Sequence, residues 1–164
     1  ALVLAGCVPG DPPPTPPPSS GSAPVFATEA EALAAAEEAY RAYNGTVDEI
    51  LRNGGADSSK LASLVSPELF ASQQQGFDQF KANGWHATGS TELRNFTLQQ
   101  FDGESMLVLY VCSDVSGVDV VDSSGVSQVS PSRPATTTFE ASLELQGATF
   151  IVVDDQPWEG SSVC

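Results

Sequence analysis

The sequence predicts an α+β domain in which three N-terminal helices are followed by four to six mostly antiparallel strands. From Thr28 to about Asn83, apolar residues recur at spacings of three and four, as on one face of an α-helix. From Trp85 onward, apolar residues alternate with polar ones, which is typical of strands with one buried face. Because helices and strands are segregated along the chain, we expect the helices to pack against one face of the sheet.

The predicted helices have recognisable start and stop signals. They run from Thr28 to Asn53, from Ser58 or Ser59 to Val65, and from Ser66 to Asn83. Thr28 and Glu31 have the spacing of a capping box, in which each side chain caps the other's backbone. Ser66 followed by Pro67 is a second start signal, and Gly84 ends the third helix.

The predicted strands lie within residues 85–101, 105–113, 118–122, 138–145 and 149–155. The clearest of them runs from Phe139 to Leu145, where every second residue is apolar. Gln146-Gly147 then marks a turn, so this strand and the next form a hairpin.

This order of elements resembles the nuclear-transport-factor-2-like superfamily, over about Glu29 to Trp158. The resemblance rests on the long first helix and on the segments Phe77 to Trp85 and Phe139 to Val153. It implies a cone in which the sheet wraps the helices. Members include isomerases, dehydratases and cyclases, which use acid–base residues inside the cone, and non-catalytic binding or assembly domains. A cystatin-like fold, with one helix on a sheet, is the alternative.

The segment Leu4-Ala5-Gly6-Cys7 resembles the lipobox of bacterial lipoproteins. The resemblance implies that the Cys7 thiol carries a diacylglyceryl group and that residues 1–6 are the remnant of a signal peptide. Residues 7–25 then form the lipidated start of a Pro/Ser-rich linker that favours extended polyproline II, and residues 26–164 form the domain. We expect a protein anchored in the bacterial cell membrane, with the bilayer as its partner and the domain outside the cytoplasm.

The other two cysteines, Cys112 and Cys164, form an even pair. In an exported chain their predicted fate is a disulfide, which the loop-entropy model values at roughly 4 kcal/mol.

The composition excludes several classes of partner. Six Lys and Arg residues stand against 21 Asp and Glu residues, for a net charge of −15. Nucleic acid requires a basic surface, so no nucleic-acid partner is expected. Zinc would need more histidine or cysteine, and the aspartates do not have the spacing of a calcium loop. We therefore predict no metal and no cofactor.

His86 is the only histidine, and hence the only side chain that titrates near neutral pH without help. It is the candidate general base, with Asp78 or Glu68 as candidate orienting carboxylates. The aromatic candidates for a ligand pocket are Tyr40, Tyr43, Phe77, Trp85 and Tyr110. Each of these residues also fits an ordinary role in the core or on the surface.

The leading hypothesis is a non-catalytic envelope lipoprotein whose domain binds a small ligand or a protein outside the membrane. One alternative is an isomerase- or dehydratase-like enzyme that uses His86 or a buried carboxylate in the cone. A second alternative is a structural subunit of an envelope assembly.

Overall fold

The computed structural model describes residues 25–164, so Cys7 and nearly all of the predicted signal remnant and linker lie outside the described residues. The helices are α1 (Glu29–Arg52), a 3₁₀ helix (Ser58–Ser63) and α2 (Pro67–Asn83). The strands are β1 (His86–Thr88), β2 (Glu92–Phe101), β3 (Met106–Asp114), β4 (Asp119–Val121), β5 (Thr136–Gln146) and β6 (Thr149–Pro157).

Both long helices begin at the caps that the sequence predicts. The Thr28 hydroxyl accepts a hydrogen bond from the Glu31 backbone N–H at 3.2 Å. The Ser66 hydroxyl accepts one from the Leu69 N–H at 3.2 Å, with proline in the first turn of α2. Gly84 ends α2 in the left-handed conformation, which glycine adopts without a steric penalty. Each cap contributes on the order of 1 kcal/mol.

The second predicted helix is a six-residue 3₁₀ helix and ends at Ser63, two residues before the predicted end. The residue before it, Asp57, is left-handed and makes no side-chain cap. A run this short, without a cap, gains little from α-helical pairing, and 3₁₀ pieces are common as connectors. The three helical segments nevertheless distinguish the fold from the cystatin-like alternative.

Four strands form one antiparallel sheet in the order β2-β3-β5-β6, while β1 and β4 pair in a separate two-stranded sheet. The register of the large sheet is interrupted twice within β2 and once between β5 and β6. Such bulges bend a strand and increase its twist, so the sheet is curved. The helices pack against its inner face, which confirms the predicted α+β class with four to six strands.

The core lies between the helices and the inner face of the sheet. Leu107, Leu109 and Val111 of β3 are fully buried there, as are Ala141 and Leu143 of β5. From the other side, α1 contributes Ala36, Tyr40, Tyr43 and Ile50 and α2 contributes Phe77. In both β3 and β5, every second residue therefore faces the core, and the residues between them lie on the outer face of the sheet.

The C-terminal segment, residues 158–164, crosses the outer face of the sheet. A disulfide joins Cys164 to Cys112 of β3, with Cα atoms 4.9 Å apart. The Val163 N–H donates to the Thr138 hydroxyl at 3.0 Å, and the Asn95 amide donates to the Val163 carbonyl at 2.7 Å. Thr138 was predicted to lie on the solvent-facing side of β5, but it is buried because this segment covers it.

Within residues 25–164, none of the helices combines the length and the apolar character that a bilayer crossing requires.

Candidate functional site

A bulge in β6 places one carboxylate on the inner face of the sheet. Val152 pairs with Leu143 of β5, whereas Asp154 pairs with Ser142, so Val153 is an extra residue in β6. Side chains alternate between the faces of a strand, and one extra residue reverses the alternation beyond it. Asp155 therefore shares the inner face with Val152, and Asp154 points outward.

Asp155 accepts hydrogen bonds from two tyrosines of α1. The Tyr40 hydroxyl donates to Oδ1 at 2.9 Å, and the Tyr43 hydroxyl donates to Oδ2 at 3.0 Å. The Gln73 amide of α2 donates to the Tyr43 oxygen at 3.0 Å. Tyr40 and Tyr43 are 1% and 2% exposed. These four residues, called the Asp155 cluster below, thus join α1, α2 and β6 through side-chain hydrogen bonds.

Burial controls the protonation of the Asp155 cluster. It raises the pKa of Asp155 from 3.8 to about 6, against the opposing effect of the two phenol donors. Burial, and next the Asp155 charge, raise the pKa of Tyr40 and of Tyr43 well above the usual range. The tyrosines therefore stay neutral donors, and Asp155 is the member of the cluster that exchanges a proton near neutral pH.

Chemically, this arrangement can hold or release one proton at the Asp155 carboxyl. A general base must also reach its substrate, and both oxygens of Asp155 already accept a hydrogen bond from a phenol. The carboxyl is only partly exposed. The cluster is thus arranged to tie helices to the sheet, with titration as a consequence of its burial.

The structure places His86 where the enzyme hypothesis did not expect it. His86 is exposed at the start of β1 and pairs with Val121 in the small sheet. Its candidate orienting residue Asp78 accepts a hydrogen bond from Gln74 on α2. The form of the enzyme hypothesis that needs His86 inside the cone therefore fails. Ala87 takes the buried face of β1, and strand alternation turns its neighbour His86 to the other face.

The five aromatic candidates do not form one pocket. Tyr40 and Tyr43 belong to the Asp155 cluster, as described above. Phe77 is buried in the core at 2% exposure. Trp85 packs edge-on against Phe80, with ring centroids 5.9 Å apart. Tyr110 lies on the outer face of β3, 5.0 Å from the Trp158 ring. These residues were grouped by chemical type, and they lie on different elements: α1, α2, the segment between α2 and β1, and β3.

Asp155 and Gln73 are the members of this cluster that the sequence analysis did not single out. Asp154 and Asp155 are adjacent in the sequence, and simple alternation from Val152 would have sent Asp154 inward. The spacing of Tyr40 and Tyr43 on one helix face did indicate that the two phenols lie side by side. For metals, no group of three or more His, Cys, Asp or Glu residues within residues 25–164 could hold an ion.

Comparisons with known proteins bear on the fold alone. Models of known protein families give no match to this chain, and neither do the curated proteins. Among solved structures, the chain is similar to the intermembrane-space region of the chloroplast protein ARC6, with a TM-score of 0.55 at 8% identity, covering 76% of this chain and 95% of that one. This likeness supports the α+β fold, with helices packed against a curved antiparallel sheet.

Two other solved structures show weaker similarity. One is a de novo β-sheet design, with a TM-score of 0.38 at 14% identity, covering 77% of this chain and 89% of that one. The other is a polyketide cyclase from Xanthomonas campestris pv. campestris, with a TM-score of 0.33 at 12% identity, covering 74% of this chain and 90% of that one.

Proposed function

We propose that this protein is a bacterial envelope lipoprotein whose α+β domain is a non-catalytic binding module, held outside the cytoplasm by a lipid on Cys7. The observation that carries the non-catalytic part of this proposal is the Asp155 cluster. Its interior carboxylate is held by two phenols, while His86 lies on the surface. The residues that acid–base catalysis would use are thus either engaged or outside the core.

Display outside the cytoplasm is supported by the disulfide. Cys112 and Cys164 are joined, and structural disulfides form and persist in oxidising compartments. The bond holds the C-terminal segment on the sheet and stabilises a domain exposed to the surroundings of the cell. The lipobox-like segment ending at Cys7 and the proline-rich stretch after it agree with a tethered domain.

Membrane fractionation tests this display. The full chain should sediment with the membrane, and Cys7→Ser should release it because the thiol that would carry the acyl chains is gone. The matched control is the double variant Cys112→Ser/Cys164→Ser, which removes the other two thiols and should remain membrane-bound. Equal release of the wild type and Cys7→Ser would contradict the anchor.

The alternative of an isomerase- or dehydratase-like enzyme is favoured by one observation, the Asp155 pKa of about 6. A base with this pKa is suited to removing a proton next to a carbonyl near neutral pH. The test is exchange of the α-protons of cyclohexanone in heavy water. Exchange that is faster with the wild type than with Asp155→Asn would favour the enzyme, whereas equal rates favour the binding module.

The alternative of an assembly subunit would use the outer face of the sheet. Met106 is 36% exposed and Trp158 is 38% exposed there. Carboxylates of Glu140 and Glu144 lie on the same face of β5 and interrupt the apolar surface. A protein that co-purifies with the wild type but not with Trp158→Ala would favour this alternative.

A further inference from the structure

A polar groove runs along the side of α1 that faces the segment joining β1 to β2. Its volume is about 270 Å³, near the lower end of the range for small-molecule sites. Arg41, Gly45, Asp48 and Arg52 line it from α1, at helical positions that share one face. Ser90, Thr91 and Leu93 form the opposite wall. None of these residues belongs to the Asp155 cluster.

The two arginines lie at opposite ends of this groove. Eleven residues separate them on α1, which puts their Cα atoms about 16 Å apart along the helix axis. The Arg41 guanidinium donates to the Leu93 carbonyl at 3.2 Å, and the Arg52 guanidinium donates to the Gly89 carbonyl at 3.2 Å. Each guanidinium has five N–H donors, so most donors remain for a ligand.

Their charges are only partly compensated. The Arg41 guanidinium is 3.8 Å from the Glu37 carboxylate, at the outer limit for an ion pair, and lies 4.5 Å above the Phe96 ring. Arg52 forms no ion pair with any carboxylate among residues 25–164. Two of the six basic residues of a chain with net charge −15 are thus gathered in one groove.

Asp48 is the carboxylate inside the groove, and it hydrogen-bonds the opposite wall rather than either arginine. Its Oδ2 accepts the Thr91 backbone N–H at 2.7 Å, and its Oδ1 accepts the Thr91 hydroxyl at 2.9 Å. These bonds fix the far wall against α1. The groove is therefore pre-formed, which lowers the entropy cost of binding.

Gly45 lies on the floor of the groove in the middle of α1. Glycine in a helix interior is unfavourable relative to alanine. A Cβ at this position would meet no protein atom within 4 Å, so internal packing does not require glycine. Without a side chain at this position, a ligand carbon chain can lie close to the helix.

From these observations we infer that the groove binds an elongated organic dianion of the dicarboxylate class, with one carboxylate at Arg41 and the other at Arg52. Guanidinium groups match carboxylates through paired N–H donors. The carbon chain between the carboxylates passes over Gly45 and contacts Leu93. This inference rests on the proposed binding role and names a ligand class for it.

The test is calorimetric titration of the full chain carrying Cys7→Ser, with azelate as the probe and nonanoate as the matched monocarboxylate. Azelate should bind saturably, and nonanoate should bind about fivefold more weakly because it engages one guanidinium. Binding should weaken as salt is added, since both contacts are ionic and partly exposed. No saturable azelate binding at matched ionic strength would overturn the inference.

Variants locate the site. Arg52→Gln and Arg41→Gln should each weaken azelate binding about fivefold, whereas Lys81→Gln, which removes a positive charge on α2, should leave it unchanged. Among residues 25–164, Arg52 does not stack over an aromatic ring as Arg41 does, so its variant keeps the test valid if Arg41→Gln disturbs Phe96. Equal affinities for Arg52→Gln and Lys81→Gln would overturn the inference.

The two glycine variants separate stability from binding. Gly45→Ala should raise the unfolding midpoint yet weaken azelate binding, because its methyl group enters the groove. Gly76→Ala on α2, where a Cβ also meets no atom within 4 Å, should raise the midpoint without affecting binding. Unchanged azelate affinity in Gly45→Ala would contradict passage of the ligand over this residue. If these tests fail, the groove is not the binding site. Whether the domain binds a ligand elsewhere is then decided by a native mass spectrum of the protein extracted from its envelope.

Discussion

Lowering the pH should stabilise the domain through Asp155, because this carboxyl is easier to bury protonated than ionised. Its pKa is raised from 3.8 to about 6 in the folded protein, chiefly by burial. The folded state therefore binds more protons than the unfolded state between these values. Under that condition stability falls as the pH rises. The contribution is fully present below about pH 4 and is lost as the pH passes through about 6.

The magnitude follows from the two pKa values. One pKa unit corresponds to about 1.4 kcal/mol, so the difference between 3.8 and about 6 corresponds to about 3 kcal/mol in total. Of this, about 2 kcal/mol is lost between about pH 4 and about pH 7. Asp155→Asn removes the titrating group and keeps an oxygen acceptor for Tyr40, so the variant should lack this part of the pH dependence.

The assay is urea unfolding of the wild type and Asp155→Asn at both pH values. The free energy of unfolding of the wild type should fall by about 2 kcal/mol more than that of the variant. Asp154→Asn is the control, because this neighbour points outward and hydrogen-bonds Gln156. It should keep most of the wild-type difference, because the Asp154 charge contributes least to the raised pKa of Asp155. The reasoning is refuted if the wild type and Asp155→Asn respond equally to pH, or if Asp154→Asn abolishes the difference.

Three other variants test the fold and its cluster. Tyr43→Phe should lower the free energy of unfolding by about 1–3 kcal/mol, because it removes a donor from the buried Asp155 and leaves Gln73 without its acceptor. Titration of the Asp155 carboxyl by NMR should also show a higher pKa in this variant. Loss of both Cys112 and Cys164 by serine substitution should cost up to about 4 kcal/mol, measured by urea unfolding, and a value near zero would argue against a structural disulfide. His86→Gln should change the free energy of unfolding by less than about 0.5 kcal/mol, and a larger loss would mean that the ring is not on the surface.

The sequence was informative where the signal is local. The caps at Thr28 and Ser66 and the alternation in β5 depend on neighbouring residues, and the structure has each of them. Pairing Cys112 with Cys164 required only a count of thiols and an oxidising compartment. The fold class followed from the change of apolar period near Trp85.

The candidate site was much less predictable, because long-range geometry creates it. The bulge at Val153 decides which of two adjacent aspartates faces the core. The sequence of β6 contains no residue that predicts a bulge at this position. Likewise, the helical spacing of Arg41 and Arg52 in the sequence places both arginines on one face of α1. Its partner, the segment around Thr91, is brought to it only by the folded chain. The position of His86 depends on β1 pairing with β4 outside the large sheet, which the sequence pattern of residues 85–101 does not show.

The most direct test of the binding role is a native mass spectrum of the protein extracted gently from its own envelope. We expect a monomer carrying a diacylglyceryl group on Cys7 together with a small, non-covalently bound mass. If the ligand occupies the groove of α1, the fraction of protein carrying it should be unchanged in Gly76→Ala and lower in Gly45→Ala. A bound mass equally retained by both variants would keep the binding role and move the site elsewhere. A bare monomer with neither ligand nor partner would contradict the proposal that the domain is a binding module.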